Sequence, residues 1–134
     1  MDLTANIHAA MPLCAHLGVR GITWQPDLVE LELDWNPTLC TTGGILHGGV
    51  LMALADSSGA ACAAVNLPEG AVGTSTIESK TNFLGAVKEG TVRAISRPLH
   101  AGSTTIVVET ELRRSDGRLV GKTTQTQSVL RPRS

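Results

Sequence analysis

GGVLMALADSSGAACAAV, residues 48–65, decides the fold. It is apolar nearly all round, lacks proline and is too long for a strand, so it reads as a helix buried on most sides. Glycine pairs at 43–44 and 48–49 flank its start, and Asn66-Leu67-Pro68-Glu69-Gly70 supplies its stop. Upstream, residues 28–35 (LVELELDW) alternate strictly, with Val29, Leu31, Leu33 and Trp35 on one face and Glu30, Glu32 and Asp34 on the other. That is the pattern of a half-buried antiparallel strand. A shorter stretch, Gly18–Trp24, leads into it through the turn Gln25-Pro26-Asp27, and residues 6–17 read as a short helix broken near Pro12. Downstream, residues 73–84, 90–99, 103–114 and 118–130 are long, rich in Thr and Val, and separated by turns. Asp116-Gly117 signals a hairpin between the last two, and Pro98 predicts a bulge or a free edge in its strand. The expected class is α+β: one long helix against one antiparallel sheet of five or six strands, in one domain over residues 1–134.

A single helix covers only one face of such a sheet, and several strands carry apolar residues on both faces. A second copy joined edge to edge would also cover the edge strands. A homodimer is therefore expected, with a homotetramer as a dimer of dimers beyond it.

Composition narrows the function. Aromatic residues are limited to Trp24, Trp35 and Phe83, so the core and any pocket are built from Leu, Val, Ile and Ala. Eleven basic and twelve acidic residues leave the chain near neutrality, which argues against a nucleic-acid partner. Cys14, Cys40 and Cys62 have no CxxC spacing and read as free thiols of a reducing compartment. With no secretory pattern at the N-terminus and no apolar run long enough to span a membrane, the expected location is the cytoplasm.

Asp56 is the only ionisable group between His47 and Glu69. At helical spacing it shares a stripe with Gly49, Met52, Ala60 and Ala63. A lone carboxylate in a buried helix is costly unless it is paired or faces a site. The glycines at the helix start admit close approach of a ligand, and the first-turn amides are unpaired donors at the positive end of the helix dipole. A thioester carbonyl there would have its developing oxyanion stabilised, and a nearby carboxylate can activate water or attack the carbonyl itself. Asp56 lies about two turns, roughly 10 Å, from those amides, so the two halves meet only if a neighbouring subunit supplies one of them. The other reading of Asp56-Ser57-Ser58-Gly59 is a turn or cap that breaks the helix in two. The residues alone leave both open.

The segment His47–Asp56, HGGVLMALAD, resembles the PaaI-type (phenylacetate-pathway) acyl-CoA thioesterases of the hotdog superfamily, and the element order matches that fold along essentially the whole chain. The resemblance implies that Asp56 is the catalytic acid, acting as general base or nucleophile. It implies that Gly49, with Gly48 beside it, supplies the amide that polarises the thioester carbonyl in the partner's site, and that His47 lies near the thioester. Ser75 falls where some members place a hydroxyl that orients water. Many members carry Asn or Gln six residues before the histidine, and here that position is Thr41. The reaction so implied is hydrolysis of an acyl-CoA to free acid and coenzyme A, with no cofactor because the thioester is already an activated electrophile.

Other signals are weaker. His8, His16, His47 and His100 lack ligand spacing, so no metal site is expected. No GxSxG elbow or phosphate-binding loop occurs. Arg97 and His100 are candidates for contacts to coenzyme A phosphates, against the plainer reading of solvated strand faces. Two rivals remain: an acyl-thioester dehydratase or hydratase, in which His47 and Asp56 act together, and a non-catalytic acyl-CoA-binding module.

Overall fold

A computed structural model describes residues 2–133. Two short helices open the chain, α1 (Leu3–Ala10) and α2 (Pro12–Leu17), and Pro12 sits at the start of the second. The single broken helix expected for this segment is thus two helices. Strands β1 (Arg20–Gln25) and β2 (Leu28–Asp34) form a hairpin, and short 3-10 turns at Pro37–Leu39 and Thr42–Gly44 lead to α3, Gly48–Ala64. The long strands β3 (Gly73–Phe83), β4 (Thr91–Ala101), β5 (Thr105–Arg114) and β6 (Leu119–Leu130) follow. All six strands belong to one antiparallel sheet in the order β1-β2-β4-β5-β6-β3.

α3 runs unbroken through Asp56–Gly59, which removes the reading of that segment as a turn. The helix packs chiefly on β4, β5 and β2. The strand alternation read from residues 28–35 is realised there: Val29, Leu31 and Leu33 are fully buried beneath the helix. Ala94, Ile106, Val108 and Leu112 complete this apolar floor against Leu51, Leu54, Ala55 and Cys62 of the helix. On the opposite face, Arg20 and Arg93 bridge Glu32 at 2.6 and 2.7 Å. Pro98 lies at a bulge in β4, beyond the last residue that pairs with β2, so no strand asks it for an N–H on that side.

The two edges differ. β1 is covered by α1, so closely that a Cβ on Gly21 would lie 2.7 Å from the Leu3 side chain. β3 has no such cover among the described residues. Its bulge falls between Thr76 and Glu78, and Ile77, between them, is 66% exposed. Cys14, Cys40 and Cys62 are all free thiols. No helix among the described residues is long and apolar enough to cross a membrane.

Candidate active site

α3 begins on the two glycines predicted to matter. His47 is its N-cap, and its ring Nδ1 accepts the Gly49 N–H at 2.8 Å. A ring nitrogen that accepts carries no proton, so the neutral imidazole holds its proton on Nε2. This corrects the expectation that the first-turn amides are unpaired: the Gly49 amide already has a partner, and it is the motif histidine. Both glycines are also held by close packing. A Cβ on Gly49 would sit 3.0 Å from His47 Nδ1, and one on Gly48 would sit 3.2 Å from the Phe83 ring.

Two turns along, the stripe read from the sequence is the open side of the helix. Gly49, Met52 and Asp56 are exposed, Ala60 is half-buried and Ala63 is buried. α3 is therefore buried around most of its girth but not all of it, and Asp56 faces the opening. Its carboxyl nonetheless lies against the sheet, where Oδ1 accepts the Gln125 side-chain N–H at 2.6 Å. Loss of water on that side pushes the Asp56 pKa above the ordinary aspartate value, and the Gln125 hydrogen bond pulls the other way.

Under this part of the helix the floor is polar. Gln125 and Gln127 of β6 are buried, and Gln127 donates to the Thr76 hydroxyl at 2.7 Å. Thr81 and Thr123 share a hydrogen bond at 2.7 Å, and a fully buried chain of hydroxyls runs Ser58–Ser96–Thr110 at 2.7 and 2.6 Å. Satisfied in this way, the hydroxyls cost little to bury.

The remaining predicted residues divide. Thr41 lies in the loop before α3, exposed, with its backbone N–H donated to Ile45. Ser75 pairs with Ser128, and strand alternation puts its side chain on the face away from Gln127. The β3 hydroxyl on the Asp56 side is that of its neighbour Thr76, a shift of one residue that reverses the face. Arg97 points away from α3, since its neighbour Ser96 is the residue that bonds Ser58 of the helix. His100 lies near the far end of β4 from Thr91, and Thr91 is at the end of the sheet where α3 begins. Neither is brought to the helix start within the chain.

Cations do gather at that end. Leu46 donates its backbone N–H to Val87, and beside this contact Lys88, Arg114 and Arg118 line a surface cavity of about 410 Å³ with Glu89 and Asp116. Arg114 is paired with Asp116 at 2.7 Å, whereas Lys88 and Arg118 form no ion pair among the described residues. No group of acidic, His and Cys side chains suited to a metal occurs among those residues.

The sequence reading missed Gln125, Gln127 and Thr76. One signal was present: residues 122–128, KTTQTQS, are polar on both faces, which is odd for a strand with neighbours on both sides. The isolated Gly59 inside a long helix was another.

A sequence profile of the thioesterase superfamily matches residues 43–121, which span α3 and most of the sheet. The chain belongs to the thioesterase superfamily. A protein of Saccharolobus solfataricus provisionally named an esterase is 33% identical over 115 residues, 86% of this chain and 81% of that one. The 1,4-dihydroxy-2-naphthoyl-CoA hydrolase of Escherichia coli is 34% identical over 87 residues, 65% of this chain and 63% of that enzyme. Among solved structures, a Haemophilus influenzae thioesterase superposes with a TM-score of 0.88 at 25% identity, covering 98% of this chain and 92% of its own. A thioesterase-family protein of Silicibacter pomeroyi gives 0.85 at 28% identity, covering 96% of each chain. The fold is thus the hotdog fold, a long helix wrapped by an antiparallel sheet, and the thioesterase acts on acyl thioesters.

Proposed function

We propose that this thioesterase hydrolyses acyl-CoA to free acid and coenzyme A, with residues 1–134 as one catalytic domain and Asp56 as general base or nucleophile. The observation that carries the reading is the state of Asp56. It is a carboxylate on the open stripe of α3, one oxygen held at 2.6 Å by a buried amide and partly stripped of water. Such a group is more basic than a free aspartate and keeps an oxygen available for chemistry.

Gly49 lies seven residues from Asp56, about 10 Å along the axis, too far for both to act on one carbonyl. The site is completed by a second copy, whose Gly49 faces this chain's Asp56. Support for that pairing comes from the uncovered β3 edge and the apolar side chains around it: Ile77, Val72, Phe83, Leu84 and Met52 are all exposed. The carbonyl oxygen of the bound thioester takes the Gly49 N–H from His47, whose ring turns aside and stays next to the thioester. Gly48 and Thr41 border the same place. The cavity at Lys88 and Arg118, at the end of the sheet where α3 starts, suits the coenzyme A phosphates better than Arg97 or His100 does. A dimer of dimers is compatible with this site, which needs only one pairing.

The test is thiol release from a panel of acyl-CoAs by wild type and Asp56→Asn side by side. Turnover by wild type that falls about 10²–10⁴-fold in the variant is the expected result. Full activity in folded Asp56→Asn would refute the mechanism. Turnover of an enoyl-CoA without thiol release would point to hydratase chemistry, and tight binding without turnover to a binding module.

A further inference from the structure

We propose that Gln125 is a positioning residue for Asp56: its buried amide N–H holds Oδ1 and thereby presents Oδ2 to the reacting centre. This rests on the reading of Asp56 given above and extends it to a residue on another element, 69 positions along the chain.

Three observations converge. First, Gln125 is fully buried, yet its Oε1 has no hydrogen-bond partner. A buried acceptor left unsatisfied destabilises a fold, so burial of this amide is poorly explained by stability. Second, α3 carries a glycine directly over it. A Cβ at Gly59 would lie 1.8 Å from Gln125 Oε1 and 2.9 Å from its Cδ, so any other residue there would drive the amide out from under the helix. Glycine inside a helix is itself unfavourable relative to alanine. Two locally costly choices, on different elements, therefore combine to place one N–H on one carboxylate oxygen. Concentration of such costs is what a functional site shows.

Third, the amide is held from its other side. Thr76 Oγ1 lies 3.4 Å from Gln125 Nε2 and accepts the Gln127 N–H at 2.7 Å, so the two glutamines, the threonine and the aspartate form one connected set. The amide orientation has a chemical consequence. An N–H facing Oδ1 favours the charged carboxylate and opposes the burial that drives the proton on. Gln125 thus fixes which oxygen reacts and keeps Asp56 ionised at a pH where burial alone would protonate more of it.

The experiment is to follow the Asp56 carboxyl carbon by NMR through a pH titration, with no substrate present, in wild type and Gln125→Leu. The pH profile of kcat/KM for the best acyl-CoA is measured on the same proteins. Because leucine removes the orphaned acceptor, Gln125→Leu is expected to fold with an undiminished Tm. Its Asp56 midpoint should rise, and kcat should fall about tenfold or more while KM changes little. Should that variant fail to fold, Gln125→Met keeps the length of the side chain without a hydrogen-bond donor, and the midpoint must rise there as well. An unmoved midpoint in a folded variant, or an unchanged acid limb and kcat, overturns the inference. Absence of thiol release by wild type would instead overturn the proposed reaction, and the substrate-free titration keeps the two failures apart.

Discussion

The sheet beneath α3 has two halves of opposite character. Under the middle of the helix, β2, β4 and β5 present Val29, Leu31, Leu33, Ala94, Ile106 and Val108, all fully buried. Toward β6 and β3 the same helix rests on Thr123, Gln125 and Gln127, also buried, with Thr76 and Thr81 beyond. One half is mostly apolar, crossed by the buried Ser58–Ser96–Thr110 hydroxyl chain, and its work is stability. The other is a polar shelf that reaches the Asp56 carboxyl. A helix that needed only to be covered would rest on apolar residues throughout, because hydroxyls and amides contribute less on burial than methyl groups do. The difference separates the residues that hold the fold from those that meet the Asp56 carboxyl.

Truncating the apolar half should produce the largest change in stability. Leu31→Ala leaves a void in the apolar core and is expected to cost about 2–5 kcal/mol in denaturant unfolding, with activity per folded molecule nearly intact. Activity falling in step with a cavity there, at unchanged stability, would break the division. On the shelf, Gly59→Ala forces a methyl group into the Gln125 amide. A loss of about 1–3 kcal/mol is expected, accompanied by a drop in kcat that Leu31→Ala does not share.

The smallest effect is the most diagnostic. Burial raises the Asp56 pKa in the fold above its unfolded value, so the fold binds that proton more tightly than the unfolded chain does. The stabilisation linked to it is therefore complete below the unfolded pKa and is lost as pH rises through the raised folded value. At neutral pH the carboxylate is a net burden that Asp56→Asn relieves, and asparagine still accepts the Gln125 N–H. Thermal unfolding should place the Asn variant level with or slightly above wild type at pH 7, the advantage disappearing in acid. A clearly lower Tm at pH 7 would show Asp56 to be structural.

Much of this was legible in the sequence, for reasons that differ by region. α3 and β2 announce themselves because one is apolar over eighteen residues and the other alternates without a break, and the structure puts both where those periods require. Asp56 stands out as the single charge in an apolar run. The shelf did not stand out, because a Thr and Gln strand reads equally well as a solvated edge. Only the sheet order, with β6 between β5 and β3, reveals that those amides are inside. Ser75 was named from the resemblance alone, and which of Ser75 and Thr76 faces the helix depends on the register with β6, which the sequence does not show. The partner of the Gly49 amide was invisible because a histidine is an uncommon cap, and the facing of Arg97 and His100 depends on register alone.

The bare edge of β3, with Ile77 and its apolar neighbours, has a consequence for how much enzyme must be present. If two copies share each site, activity per mole depends on concentration: it falls off on dilution as the pair separates, with a steepness set by mass action. On the same condition the edge stays uncovered during synthesis until a second chain arrives, so low expression would favour correct pairing less than moderate expression does, while crowding of unfinished chains would favour clumping.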